Sequence, residues 1–119
     1  EEIEMKIQCA IPADLTVAES DLCVLISNAL ENALHACVSL AAEGRSCEID
    51  VNFYERNKHL FLQVVNDCKA PIKFQNGIPV SDMEGHGIGV RSICAIVQRY
   101  GGVFSFAEKD GKFTLRLSL

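Results

Sequence analysis

Two asparagines and a histidine have a spacing that suggests chemistry. Asn28, Asn32 and His35 stand at positions i, i+4 and i+7, so a helix would place them on one face. Asparagine is not a favoured residue inside a helix, and its amide oxygen is a ligand that hard cations accept. The pattern fits a face that binds a polar ligand or a metal, and it fits a solvated helix surface equally well.

The second candidate is the glycine-rich segment Gly85-His86-Gly87-Ile88-Gly89, which leads into an apolar helical pattern. Alternate glycines allow a tight turn with exposed backbone N–H groups. The helix that follows adds its positive N-terminal end, and this combination binds phosphate. The segment is not the dinucleotide-binding fingerprint, because an irregular loop precedes it rather than a strand. A simple lid hinge would account for the same glycines.

Asn66 is the third candidate, at the end of an apolar run. It has the parity of Leu60, Leu62 and Val64, so in a strand its amide would share their face, where an unpartnered polar group is costly. An amide both donates and accepts hydrogen bonds, so Asn66 would be able to read the edge of a nucleobase. An Asx turn at the end of the strand is the alternative.

Periodicity predicts the elements that position these residues. Apolar and polar residues alternate in residues 3–11, 47–54 and 113–119, which predicts half-buried strands. Residues 60–65 are apolar on both faces, which predicts an interior strand, and residues 103–107 form a fifth strand that pairs with 113–119 in a hairpin. Helical spacing predicts one helix that is capped by Ser20 or Asp21 and runs to about Ala42, and a second that ends at Gly101-Gly102. A loop of about 18 residues, 67–84, has no periodicity and resembles a lid or binding loop.

The order of these elements is strand, helix, hairpin, loop, helix, hairpin. Asn57-Lys58 and Asp110-Gly111 mark the two hairpin turns. The strands then pair mostly antiparallel, and two amphipathic helices are enough to cover one face of the sheet. The fold class predicted is therefore a two-layer α/β sandwich.

Composition restricts the partners. A chain of 119 residues with 49% hydrophobic residues fits one domain, and a net charge of −5 argues against nucleic acid or an anionic membrane as the main partner. The six cysteines form no C-x-x-C pair, and most stand at apolar positions, so we expect reduced, buried thiols in a cytoplasmic protein. No apolar run approaches the roughly 20 residues that span a bilayer.

Taken together and in this order, the segments resemble the GHKL ATPase superfamily, which joins sensor histidine kinases to gyrase-type ATPases, heat-shock chaperones and mismatch-repair proteins. Leu25–Leu34 looks like the N box, Val64–Cys68 lies where the G1 box belongs, and Gly85–Val90 looks like the G2 box. Gly111–Thr114 resembles the closing motif of the family. The Asn-Asp-Cys form of G1 and the Gly-His-Gly form of G2 are most similar to a histidine-kinase branch that includes peptide-responsive quorum-sensing kinases.

The resemblance implies a Bergerat fold, in which a mixed sheet is covered on one face by helices, and a single ATP-binding catalytic domain over residues 1–119. Asn32 would coordinate Mg²⁺, and Asn28 would support the metal or the phosphates. These two asparagines would therefore be the catalytic residues. Asn66 would occupy the adenine-reading position. The remaining nucleotide contacts implied are His35, Gly85, His86, Gly87, Ile88, Gly89 and Thr114.

One departure bears on the activity. Asn28 stands where gyrase-type members have a glutamate that activates water, and an amide cannot take a proton at neutral pH. The resemblance therefore favours phosphotransfer to a histidine over ATP hydrolysis. None of His35, His59 and His86 has the setting expected of a phosphoacceptor.

The phosphoacceptor would then lie on a separate helical dimerisation domain of the same kinase, with a response regulator as a further partner. We expect a monomeric cytoplasmic fragment of a membrane-bound kinase, with no direct membrane or nucleic-acid contact. Two alternatives stay open: a nucleotide-responsive docking module without kinase activity, and an anti-sigma-factor serine kinase. The second is disfavoured because its usual acidic N-box residue is missing at Asn28.

Overall fold

The computed structural model describes residues 3–11, 17–69, 72–80 and 87–119. Within these residues, strands and helices follow one another in the predicted order. The elements are β1 (Ile3–Ala10), α1 (Glu19–Ala41), β2 (Cys47–Arg56), β3 (His59–Asp67), β4 (Phe74–Gln75), β5 (Ile78–Pro79), α2 (Gly87–Arg99), β6 (Val103–Lys109) and β7 (Lys112–Ser118).

Five strands form one mixed sheet in the order β1-β2-β3-β7-β6. β1 and β2 pair in parallel and are joined by α1 as a crossover, whereas the other neighbours pair antiparallel. Both predicted hairpin turns are confirmed, because Asn57, Lys58, Asp110 and Gly111 all have positive φ.

The core lies between the two helices and one face of the sheet. Alternate residues of β2, β3 and β7 are buried, as are one side of α1 and one side of α2. The sheet contributes Cys47, Ile49, Val51, Phe53, Leu60, Leu62, Val64, Phe113, Leu115 and Leu117, and the helices contribute Leu22, Leu25, Ala29, Ala33, Cys37, Leu40, Val90, Ile93, Cys94, Ile96 and Val97. We call the face of the sheet that the helices cover the inner face. The predicted two-layer α/β sandwich is thereby confirmed.

α1 begins at Glu19, two to three residues earlier than a cap at Ser20 or Asp21 would place it. Its N-cap is Ala18, which makes no side-chain cap, so the predicted cap at Ser20 or Asp21 is wrong. Asp21 is instead used by Tyr100, whose hydroxyl donates to its carboxylate at 2.5 Å. By length and composition α1 is also apolar enough to cross a membrane, contrary to expectation, but its buried residues all pack in the core of the sandwich.

The cysteines differ from the prediction in two ways. Cys37 of α1 and Cys47 of β2 form a disulfide with their Cα atoms 5.4 Å apart, so these two are not reduced thiols. Cys68 and Cys94 are buried and free, as predicted. Cys9 and Cys23 are free but exposed, because Cys9 lies on an edge strand and Cys23 lies on the solvent side of α1.

β1 is exposed along its whole length, although its alternation predicted a half-buried strand. Ile3, Met5 and Ile7 pair in register with buried residues of β2, so they share the inner face. They are exposed because β1 is the last strand of the sheet, whereas α1 packs on β2 and β3 and α2 packs against α1 and β6.

The segment predicted as an aperiodic loop contains a small hairpin. β4 and β5 pair antiparallel around Asn76-Gly77, both with positive φ, as an Asn-Gly hairpin requires. The ring of Phe74 in β4 stacks on Phe113 of β7, with ring centroids 6.4 Å apart. This stack attaches the hairpin to the edge of the core.

Candidate functional site

α1 and α2 lie side by side in opposite directions, and this arrangement brings two predicted motifs together. At one end, the guanidinium of Arg99 lies 3.2 Å from the Asp21 carboxylate that also accepts from Tyr100. About two turns further along α1, the side chain of Asn28 lies against Gly89 in the first turn of α2. The predicted amide face of α1 therefore meets the glycine segment at the start of α2.

The contact at Gly89 is so close that a side chain there would have to displace the amide of Asn28 by a few tenths of an ångström. A Cβ at this position would lie 3.2 Å from Oδ1 and 3.5 Å from Cγ of Asn28. Gly87 and Ile88 form the start of the same helix, whereas Gly85 and His86 lie outside the described residues. The first N–H groups of a helix have no partner within it and carry a partial positive charge, so the start of α2 offers donors to an anion beside Asn28.

Asn32 and His35 follow Asn28 on α1, as the spacing predicted. Asn32 is half-buried like Asn28, and His35 is exposed. The helix therefore places two amides at the boundary between the core and solvent, one turn apart, with the imidazole farther out.

Asn66 is the one buried polar side chain in the core among the described residues, with 1% of its surface exposed. It lies on the inner face of β3, between Ile49 of β2 and Phe113 of β7, which confirms the predicted parity. Its Nδ2 donates to the carbonyl oxygen of Asp67 at 2.9 Å. Its Oδ1 has no hydrogen-bond partner among the described residues, so it does not form an Asx turn.

A buried acceptor without a partner costs about 1–3 kcal/mol. Stability alone does not favour such a group, and a ligand that donates a hydrogen bond to Oδ1 would remove the cost. Asn66 is therefore the strongest single indication of a binding site in the described part of the chain.

Asp67 supports Asn66 from the opposite face of the sheet. Its Oδ2 accepts the backbone N–H of Glu48 at 2.8 Å, and its Oδ1 lies 2.6 Å from Nζ of Lys112. Burial by itself would raise the pKa of Asp67, but the hydrogen bond from Lys112 and that from Glu48 outweigh it and lower the pKa. The carboxylate is thus ionised and held in place. This also fixes the position of the Asp67 main-chain carbonyl, which orients Asn66.

The structure places Thr114 on a different face of the sheet from Asn66. Thr114 pairs with Val65 and Ala107, so its side chain is on the outer face of the sheet. The residue of the closing motif that shares the inner face with Asn66 is Phe113, because side chains alternate along a strand. The parity of Phe113 with Leu115 would have identified it from the sequence.

Cys68, which is close to Asn66 in the chain, is a second buried residue besides Phe113 that was not predicted to belong to the site. It is buried, and its N–H donates to the carbonyl of Gly111 at 2.9 Å. Burial raises the pKa of the Cys68 thiol to about 11, with smaller contributions from nearby carboxylates. The side chain is therefore a neutral thiol at physiological pH, which makes it a packing group rather than a nucleophile.

A model of the GHKL domain family matches residues 17–119, most of the chain. The chain belongs to the GHKL domain family. The match includes the amide face of α1, Asn66 and the start of α2, so the candidate site lies entirely within the family domain. No curated protein sequence matches the chain significantly.

Solved structures with a similar fold include histidine kinases. The mycobacterial sensor histidine kinase MprB has a TM-score of 0.72 and 18% identity, over 98% of this chain and 80% of that chain. A nucleotide-free catalytic domain of histidine kinase ThkA has a TM-score of 0.68 and 13% identity, over 98% and 78%. The blue-light activated histidine kinase EL346 of Erythrobacter litoralis has a TM-score of 0.66 and 20% identity, over 100% and 35%. This GHKL domain therefore has the fold of histidine-kinase catalytic domains.

Proposed function

We propose that this GHKL domain binds Mg-ATP between α1, the start of α2 and the inner end of β3, and donates the γ-phosphoryl group to a histidine of a separate helical domain. The observation that carries the proposal is Asn66, a buried amide with an unpartnered acceptor in a domain of this family. Full-length ShkA was solved in complex with AMPPNP, and 25% of it matches 98% of this chain at a TM-score of 0.66 and 15% identity.

The adenine of ATP would lie at Asn66. Because Nδ2 is occupied by the carbonyl of Asp67, the side chain presents its acceptor, Oδ1, to a ligand. The exocyclic amino group of adenine is a donor that matches this acceptor, whereas guanine has a carbonyl oxygen at the equivalent position. The orientation of the amide thus favours ATP over GTP.

The phosphates would lie at the start of α2, where backbone N–H groups and the helix dipole favour an anion without a net positive charge. The described residues contain no group of three His, Cys, Asp or Glu side chains that could hold a metal by themselves. A Mg²⁺ ion bound with the nucleotide would take the amide oxygen of Asn32 and phosphate oxygens, which suits a hard cation, and it would neutralise phosphate charge. Asn28 would hold the phosphates against Gly89.

The reaction would be transfer rather than hydrolysis. A ring nitrogen of the acceptor histidine would attack the γ-phosphorus, and the bond to the β–γ bridging oxygen would break to leave ADP. Such transfer depends mainly on positioning and charge stabilisation. Asn28 supplies an amide where a water-activating base would be needed, so the domain would hold ATP for a partner.

The partners and setting follow from this reaction. We propose a phosphoacceptor helical domain of the same kinase as the first partner and a response regulator as the second. The domain itself would be a cytoplasmic monomer, and a membrane-bound sensor would control its access to the acceptor histidine. The peptide-responsive branch remains our expectation for the parent kinase.

Calorimetric titration with AMPPNP, with and without Mg²⁺, tests the nucleotide site on the wild-type chain and on Asn32→Ala. We expect saturable binding that Mg²⁺ strengthens and that the substitution weakens most when Mg²⁺ is present. A folded chain that binds no adenine nucleotide at millimolar concentration would overturn the proposal.

A second experiment separates the kinase from a docking module. The chain is mixed with labelled ATP and a histidine-bearing helical dimerisation domain, and a variant of that domain with its histidine replaced is the control. Acid-labile, alkali-stable label on the intact acceptor alone supports phosphotransfer. Binding of ATP without label on any acceptor that docks would favour the module.

A further inference from the structure

The disulfide between Cys37 and Cys47 joins the two layers of the sandwich beside the proposed adenine end of the site. Cys37 lies on α1 beyond Asn32, and Cys47 is the first residue of β2. Both are fully buried. Cys47 precedes Ile49 on the inner face of β2, and Ile49 pairs with Asn66 on the adjacent strand β3.

One backbone oxygen connects the disulfide to Asn66. The carbonyl of Asp67 accepts the hydrogen bond from Nδ2 of Asn66 at 2.9 Å, and it lies 3.6 Å from Sγ of Cys47. A disulfide sulfur has no hydrogen to donate, so in the oxidised form Cys47 does not compete with Asn66 for a hydrogen bond to this carbonyl. In the reduced form the thiol of Cys47 becomes a donor to the same oxygen.

Reduction also changes the packing. Two bonded sulfurs are about 2.05 Å apart, and two thiols in van der Waals contact require substantially more space. Because both cysteines are buried, the extra volume must be taken up between α1 and the start of β2. A well-packed interior transmits such a change to its neighbours, and Asn66 is among them.

We propose that Cys37 and Cys47 are a reversible redox site that tunes nucleotide affinity through the Asp67 carbonyl and Asn66. This inference rests on the proposed function for its effect on ATP. The disulfide form holds the acceptor of Asn66 in its base-reading orientation and is the form that binds more tightly. In a reducing compartment such a bridge is typically transient, which suits a sensor more than a structural staple.

A disulfide such as oxidised glutathione is the oxidant class that completes the chemistry. The thiolate of one cysteine attacks a glutathione sulfur, which forms a mixed disulfide and releases one glutathione thiolate. The second cysteine then displaces the other glutathione. The two protein thiols lose two protons and two electrons, and one oxidised glutathione becomes two reduced molecules. Local opening of α1 from β2 must admit the oxidant, since both sulfurs are buried.

The test uses a chain with Cys9→Ser and Cys23→Ser, which removes the two exposed thiols. This chain is prepared reduced and oxidised, and alkylation with mass spectrometry identifies the state of the remaining cysteines. Titration with AMPPNP and Mg²⁺ then compares the two forms. We expect the Kd of the oxidised form for AMPPNP to be lower than that of the reduced form by about threefold or more. A modest change in one hydrogen bond produces an effect of this size. A further Cys37→Ala/Cys47→Ala variant should give one affinity under both treatments.

A readout that needs no nucleotide distinguishes the two proposals. The side-chain amide resonances of Asn66, assigned by their loss in Asn66→Asp, should shift between the reduced and oxidised forms. Unshifted resonances together with equal affinities overturn the redox inference and leave the nucleotide site intact. If neither form binds AMPPNP, the proposed function fails, and a shift in the Asn66 resonances still decides whether the disulfide is coupled to that side chain.

Discussion

Gly89 of α2 lies directly against the amide of Asn28 on α1, at a distance that leaves no room for a methyl group without movement of the amide. This contact fixes how the start of α2 meets the polar face of α1. The two helices are held in this register at their other end by Asp21, Arg99 and Tyr100. The proposed phosphate end of the site thus depends on a contact between two small groups from separate motifs.

Gly89→Ala should weaken nucleotide binding while the domain stays folded. Alanine favours the helix by up to about 1 kcal/mol relative to glycine, which offsets part of the cost of displacing Asn28. We expect an affinity for AMPPNP that is lower by about tenfold, equivalent to about 1.4 kcal/mol. Calorimetric titration gives the affinity, and thermal unfolding gives the stability.

The double variant Asn28→Ala/Gly89→Ala provides the control for that experiment. Without the Asn28 side chain, the added methyl group has space, so Gly89→Ala should cost little further affinity in the Asn28→Ala background. Strict additivity of the two substitutions would contradict a role for the contact.

Asn66→Leu should remove nucleotide binding with little change in stability. The substitution replaces a buried amide that has an unpartnered acceptor with an apolar group of similar size. The substitution also removes the donor to the Asp67 carbonyl, which offsets the gain from removing the unpartnered acceptor. We expect the free energy of unfolding to change by no more than about 1 kcal/mol, while AMPPNP binding falls below detection. Denaturant unfolding and titration measure the two quantities on the same sample.

Thr114→Val is the matched control for Asn66→Leu. Thr114 lies on the neighbouring strand with its side chain on the outer face. Its substitution also removes a polar group, and it should leave the AMPPNP affinity within about twofold of the wild-type value. A large loss of binding in Thr114→Val would instead support the predicted contact of Thr114 with the nucleotide.

Asp67→Asn should change how stability depends on pH. The pKa of Asp67 is lower in the folded chain than its ordinary value, so the ionised form stabilises the fold. This contribution is complete above the unfolded pKa of about 4 and is lost as the pH falls through the folded pKa. The wild-type chain should therefore exceed the variant in stability near neutral pH by about 1 kcal/mol or less, since Lys112 is exposed to solvent.

Denaturant unfolding of both chains at neutral and acidic pH measures this difference. We expect the gap between wild type and Asp67→Asn to close in acid. Glu31→Gln, which changes an exposed acid on α1, is the control and should not reproduce that pattern. A gap that stays constant with pH would mean that Lys112 and Glu48 do not stabilise the charge of Asp67.

Gly102→Ala should be the most damaging glycine substitution among those in the described turns. An added Cβ would lie 2.0 Å from the carbonyl oxygen of Ser118, a backbone atom that cannot move without shifting β7. We expect a loss of about 3 kcal/mol or more in the free energy of unfolding. Denaturant unfolding measures it.

Gly44→Ala is the comparison, because Gly44 has a positive φ but open space around its Cβ position. The strain of that conformation is about 1–2 kcal/mol, so this variant should lose less than Gly102→Ala. Equal losses would show that steric overlap with β7 is not the cause.

Much of this protein is determined by its sequence alone. The alternation of β2 and β7, the apolar run of β3, the Asn57-Lys58 and Asp110-Gly111 turns and the helical spacing of α2 are all local patterns, and each was predicted correctly. The parity of Asn66 placed its amide on the buried face, because side-chain direction in a strand depends only on counting residues. The motif order also identified the family.

The failures concern relations between segments. Cys9 was expected to be buried, but β1 became an edge strand that no helix covers. The hairpin of β4 and β5 was missed because two-residue strands have no detectable period.

Only the tertiary structure decided which distant residues meet. The pairing of Cys37 with Cys47, the approach of Cys47 to the Asp67 carbonyl and the contact of Gly89 with Asn28 each join residues from different elements. Local periodicity reports the conformation of a segment and the face it buries, since both depend on its own residues. It carries no information on how far one helix slides along another or which strand ends at the edge, because those depend on the packing of the whole core.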